Sequence, residues 1–160
     1  MKKAALLGCV LLLVGLGLSS GPASAASGAA TKFEKSFALV PDKEQKVSGV
    51  KVGEATIDSV NIVEWPDPDD FAKGDKDLNH TNSMKIVFTY TNRDLENDYK
   101  CKYTVTITDP KGSAVWGQAD TTGTLDKGKV GDTNHLSVKL RTHQYKLAKT
   151  LKVTFEIWKK

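Results

Sequence analysis

Several stretches of this chain are apolar at every second position. In MKIVFTYTN (residues 84–92), Met84, Ile86, Phe88 and Tyr90 alternate with Lys85, Val87, Thr89 and Thr91. In DYKCKYTVTITDP, Tyr99, Cys101, Tyr103, Val105 and Ile107 alternate with Lys100, Lys102, Thr104, Thr106 and Thr108. A period of two in segments rich in β-branched and aromatic residues predicts strands with one face in a core. HLSVKL supplies Leu136, Val138 and Leu140 in the same way. TLKVTFEIW sets Leu151, Val153, Phe155 and Ile157 against Lys152, Thr154 and Glu156. KVSGVKV and ATIDSVNIVEW are weaker strands; the second changes phase between Ile57 and Val60, as a β-bulge would. Only THQYKLAKT invites a helical turn, with Tyr145, Leu147 and Ala148.

The punctuation between these runs is turn chemistry. DPKG (residues 109–112) carries proline at its second position and glycine at its fourth, which predicts a hairpin joining the Cys101 strand to SAVWGQA. NRDLEND and LDKGKVGD read as loops. About seven or eight short strands with turns between them predict an all-β fold of two packed antiparallel sheets, with a closed barrel as the alternative. The expected core includes Phe88, Tyr103, Val105, Ile107, Val153 and Phe155. Cys101 shares that face, so a buried, inert thiol is expected.

The first residues read as a targeting segment. Lys2 and Lys3 precede an uncharged apolar run over residues 4–18, and Ala23-Ser24-Ala25 has the small-x-small form accepted by a signal peptidase. The run is shorter than the ~20 residues a membrane helix needs. The expectation is a signal peptide over 1–25, a flexible lead-in over 26–44 and a β-sandwich domain over 45–160, exported to the periplasm or extracellular space. No stable membrane insertion is expected after cleavage. A retained anchor, or lipid attachment at Cys9 in LLGC, are the rival readings.

Removing the signal also changes the charge. The full chain carries 23 Lys and Arg against 19 Asp and Glu; without Lys2 and Lys3 the balance is 21 against 19, a net of +2. That weak balance, with no basic run interleaved with aromatics, argues against nucleic-acid binding. Cys9 leaves with the signal, so Cys101 has no partner for an intrachain disulfide. The charge is uneven, with six acids between residues 60 and 77 against two lysines, and twelve Lys and Arg against five acids from residue 99 onward.

The acidic stretch EWPDPDDFAKGDKDLNHTNS holds the candidate metal ligands Asp67, Asp69, Asp70, Asp75 and Asp77. Calcium takes six to eight oxygens, and alternating acids can aim side chains into one loop. DKDLN matches the opening of an EF-hand loop, but His80 stands where glycine is needed and Ile86 where a bidentate glutamate is needed. A calcium site outside that pattern, joined by Asp94, Glu96 and Asp98 if the two loops share one end, is weighed against a solvated, charge-rich loop, and the loop is preferred. No other cofactor is indicated. Trp65, Trp116 and Trp158 are weighed for stacking against a sugar, Trp65 foremost because it ends a strand before a proline, and core or rim packing is the preferred reading of the three. His80, His135 and His143 are spread over separate segments, with no H-E-x-x-H and no G-x-S-x-G, so no enzyme is expected.

The succession IVFTYTN, YTVTITDPKG, TGTLDKG and LKVTFEI resembles secreted bacterial immunoglobulin-like or fibronectin-III-like domains over about residues 84–160. The chain departs from them in lacking paired cysteines and a clear tyrosine corner. The resemblance implies adhesion, scaffolding or ligand binding. The functional expectation is an exported, non-catalytic binding or structural module engaging a protein partner or envelope component. The alternative is a calcium- or carbohydrate-binding sandwich.

Overall fold

In a computed structural model of the chain, residues 29–64 and 81–160 are described. They form nine strands and one short helix: β1 (Thr31–Ala38), β2 (Gln45–Lys46), β3 (Lys51–Val52), β4 (Ala55–Glu64), β5 (Thr81–Asn92), β6 (Tyr99–Thr108), β7 (Val115–Leu125), β8 (Val130–Arg141), α1 (Thr142–Leu147) and β9 (Thr150–Lys159). One sheet runs β1-β9-β6-β7; the other runs β2-β4-β5-β8, with β3 also paired to β4. All strand pairs are antiparallel. The all-β fold of two antiparallel sheets agrees with the alternation in the sequence.

The alternation also identifies the core. Phe88, Tyr103, Val105, Ile107, Val153 and Phe155 are all fully buried. Phe88 from one sheet stacks on Tyr103 from the other at 4.4 Å between ring centroids, and Phe155 meets both rings edge-on at 5.9 and 6.0 Å. Each aromatic contact of this kind adds about 0.5–1.5 kcal/mol beyond area burial. The phase change in β4 is a bulge: the register to β5 shifts between Ile57 and Ser59, which returns Val60 and Ile62 to the core. Cys101 is buried, and burial pushes its thiol up to about 12.

One expectation is corrected. Residues 31–38, taken as part of a flexible lead-in over 26–44, form β1, paired along its whole length with β9. Phe33 and Phe37 turn toward the core, while Lys35 between them also faces inward, near Gly49. An inward-facing charge on an edge strand discourages pairing with another chain. At the end of β1, Gln45 clasps the open edge: its Oε1 accepts the Ala38 N–H at 3.0 Å and its Nε2 donates to the Ala38 carbonyl at 2.8 Å.

The opposite side of the sandwich is closed by β7 lying against β8, and small residues make this approach feasible. The inward positions of β7 that face this seam include Gly117, Ala119 and Gly123. A Cβ on Gly117 would sit 2.6 Å from Leu140 Cδ2 and 3.0 Å from the Lys139 carbonyl oxygen. A Cβ on Gly123 would overlap the Asn134 side-chain amide. Asn134 uses the space, its Nδ2 donating to Tyr103 Oη at 3.2 Å and to the Thr124 carbonyl at 3.1 Å.

Candidate binding site

The strands end in two loop clusters. The loop end holds residues 93–98 and 126–129. The helix end holds α1, the 109–114 turn, Glu64 at the close of β4 and Thr81 at the start of β5.

The sequence candidates Asp67, Asp69, Asp70, Asp75, Asp77 and Trp65 lie outside the described residues, as do residues 1–25. The residues that flank the acidic stretch, Glu64 and Thr81, belong to the helix end. Asp94, Glu96 and Asp98 belong to the loop end, at the other end of the strands from Glu64 and Thr81. Among the described residues no group of three or more His, Cys, Asp or Glu is placed to hold a metal ion.

At the loop end the acids are engaged in holding the chain. The Asp94 carboxylate accepts the N–H groups of Glu96 at 2.9 Å and Asn97 at 3.0 Å, the Asn97 amide at 2.9 Å and the Tyr99 hydroxyl at 3.3 Å. These donors, the Asn97 side chain first and then the Glu96 N–H, hold its carboxyl down to about 2. Asn92, fully buried, donates to the Asn97 and Leu125 carbonyls at 3.0 and 2.9 Å and accepts the Asp94 N–H at 3.1 Å. Asp98 accepts the Lys127 N–H at 3.0 Å and lies 3.7 Å from Lys160 Nζ.

The helix end is built differently. In the hairpin turn, Gly112 N–H donates to the Asp109 carbonyl at 2.9 Å, and Gly112 takes φ +74°, a left-handed conformation that costs glycine little. Asp109 accepts from Ser113 N–H, Ser113 Oγ and Ala114 N–H, so its carboxylate is turned onto its own loop. Those bonds, led by the one from Ala114, lower its pKa. After the turn, the register between β6 and β7 slips: Thr108 pairs with Val115 and Ile107 with Gly117, which leaves Trp116 as the extra residue of a bulge. A bulge breaks the alternation and re-aims the side chain it carries. Gly117 then brings this part of β7 against Lys139 and Leu140 of the other sheet.

On the β8 side, Arg141 pairs with Thr81 and leads into α1. Gln144 Oε1 accepts the Arg141 N–H at 2.8 Å, satisfying a donor at the helix start. Asn82 Nδ2 donates to Thr142 Oγ1 at 3.2 Å, and Tyr145 is buried beneath the helix. His143 meets the Trp116 ring edge-on at 6.4 Å.

The result is a concavity of about 410 Å³ between the sheets, lined by Thr81, Val115, Trp116, Lys139, Leu140, Arg141 and Gln144. A second, of about 310 Å³, lies over the hairpin turn and is lined in part by Thr108, Asp109, Lys111, Lys149 and Thr150. The second lies on the β9 side of the β6–β7 hairpin and shares no lining residue with the first. Together they present Lys111, Lys139, Arg141 and Lys149 beside one half-buried tryptophan. The sequence points to Trp116 as one of three tryptophans but not to its convergence with Lys139 and Arg141. Its only sequence signal is SAVWG, a tryptophan followed by a glycine directly after a tight turn.

His135 is exposed on the outer face of β8, opposite Val87, while His143 sits on α1. Trp158 lies on the outer face of β9 opposite Lys100 and is half-buried. No helix among the described residues is long and apolar enough to cross a membrane. No family model, curated protein or solved structure matches the chain.

Proposed function

We propose that this chain is an exported, non-catalytic binding module that recognises its partner with the helix end of the sandwich. The observation that carries this reading is the convergence of Trp116, re-aimed by a bulge in one sheet, with Lys139 and Arg141 of the other around an open concavity. A largely polar concavity with two cations in its lining is suited to recognition. The non-catalytic reading is supported by the burial of the Cys101 thiol and by the separation of His135 from His143 on different elements. Kinship with immunoglobulin-like sandwiches is part of the same proposal, supported by two antiparallel sheets over one core and by the strand-and-turn succession from residue 84 onward. Export is supported by the Ala23-Ser24-Ala25 site after an uncharged apolar run.

The test uses the mature protein, immobilised and exposed to envelope fractions of the cells that make it. Wild type should retain envelope material, and Lys139→Glu/Arg141→Glu, with an unchanged melting temperature, should not. Equal retention by both would remove recognition from the helix end. N-terminal sequencing of protein recovered outside the cytoplasm should begin near Ala26; a start at Met1 or a lipidated Cys9 would overturn the export reading.

A further inference from the structure

We infer that two copies of this chain pair through the open edge of β1, antiparallel about a two-fold axis at Phe33, so that the β1-β9-β6-β7 sheet continues into a second molecule. This goes beyond the binding-module reading and does not depend on it.

The sheets leave one long edge open. Of their outer strands, β7 and β8 lie against each other, and β2 and β3 are two residues each. Among the described residues, β1 is the long strand with a free side, eight residues in all. Its neighbours fix which backbone groups face that side. Leu39, directly after the strand, donates its N–H to the Lys149 carbonyl at 2.8 Å, toward β9. Ala38 turns its N–H and carbonyl the other way, to Gln45. Backbone groups alternate sides along an antiparallel strand. The N–H and carbonyl groups of Lys32, Glu34 and Ser36 therefore point off the sheet, a row that another strand can complete.

Charge selects the register. Residues with outward-facing backbone groups must meet one another, so the two-fold axis is the one free choice. An axis at Lys32 sets two lysines face to face, and one at Glu34 sets two carboxylates face to face; both are unfavourable. An axis at Lys35 crowds two inward ammonium groups. An axis at Thr31 carries Glu34 beyond the strand, and one at Ser36 or Phe37 brings the pairing onto Ala38, whose groups Gln45 already holds. An axis at Phe33 sets Lys32 opposite the partner's Glu34 and Glu34 opposite the partner's Lys32. Lys35 then meets the partner's Thr31. Lys35 and the Gln45 clasp thus discourage every register but this one.

The side chains suit that arrangement. Glu34 already holds Lys152 on its β9 side at 2.7 Å, and the partner's Lys32 would flank it on the open side. Phe33 is half-buried and packs against the core. On the axis it faces its own copy across a non-hydrogen-bonded pair, where side chains approach most closely, which covers the rest of the ring. The contact is self-complementary, as a two-fold interface requires. Pairing ends before Ala38, so the helix end of each copy stays uncovered.

The experiment is sedimentation velocity of the mature protein over about 5–500 µM, with charges exchanged on β1. Wild type should dimerise within that range. Lys32→Glu and Glu34→Lys should each weaken the dimer at least about tenfold, since each sets like charges opposite one another twice. Mixed in equal amounts, the two variants should associate as wild type does, and Lys32→Glu/Glu34→Lys should dimerise alone. Melting temperatures measured beside each variant separate loss of pairing from loss of fold. A disulfide trap reads the axis. Cα atoms of a non-hydrogen-bonded pair lie about 4.5 Å apart, within the ~4.4–6.8 Å that a disulfide spans. Phe33→Cys should cross-link into a covalent dimer on mild oxidation, the native Cys101 being buried. Ser36→Cys, several positions along the strand from its own copy, should not.

A protein that stays monomeric across the range would overturn the proposal. So would a dimer that neither charge reversal weakens, a mixture of the two reversed proteins that fails to associate, or cross-linking through Ser36→Cys as ready as through Phe33→Cys.

Discussion

Asn92 shows how much one side chain can hold. It is fully buried, and its amide satisfies two carbonyls and one N–H where three segments of the loop end meet. Asn92→Ala strands those groups away from water, which costs about 1–3 kcal/mol; chemical denaturation should read a loss of that size. Asp94, its neighbour, sets a pH dependence. Its folded pKa, about 2, is below its ordinary value of 3.8. The native state therefore favours the charged form, and the stabilisation is fully present above about pH 4 and lost as pH falls from there through 2. Urea melts of wild type and Asp94→Asn should differ most near neutral pH and converge toward pH 2. A constant gap across that range would show that the carboxylate's charge is not what matters. Cys101 gives the simplest measurement. With its thiol pushed up to about 12 by burial, it should resist a thiol reagent at pH 8 in the folded protein and react at once in denaturant.

At the scale of elements, the legible parts are those where one face is buried and the other wet. β5, β6, β8 and β9 announce themselves by alternation because each sits on a single core, and the phase slip in β4 marks its bulge. Two strands are obscured for physical reasons. β1 carries Lys35 on its inner side, which breaks the apolar series between Phe33 and Phe37. β7 has glycine and alanine inside because β8 crosses there, so its inner face carries almost no hydrophobic signal. Of the helix-end site the sequence offered Trp116 as one of three tryptophans and nothing more: Trp116 is placed by a bulge, and Lys139 and Arg141 arrive from another sheet. The stretch that attracted attention, residues 64–83, did so by its count of carboxylates, and a count carries no geometry. The seam predicts its own sensitivity. Gly123→Ala places a methyl group into the Asn134 amide and should cost about 1–3 kcal/mol by overpacking. Phe155→Ala removes the ring that meets both Phe88 and Tyr103 edge-on and should cost about 3–5 kcal/mol by lost burial plus an unfilled cavity. Either protein melting like the parent would contradict the packing described.

For the whole molecule, the order β1-β9-β6-β7 has a consequence in time. Of its four strands the one made last, β9, lies inside the sheet, between β1 and β6, so β1 has no partner until β9 exists. The buried partners of Tyr103, Val105 and Ile107, namely Phe155, Val153 and Leu151, come with it. A chain growing from its N-terminus, at about 5–20 residues per second, therefore cannot join β1 to this sheet before β9 is made. A version ending at residue 149 should show no cooperative melt and should be digested rapidly by protease, and adding β9 as a separate peptide should restore protection. During synthesis β1 waits as an unpaired ribbon, and the gap beside β6 is filled only when β9 slides between the two.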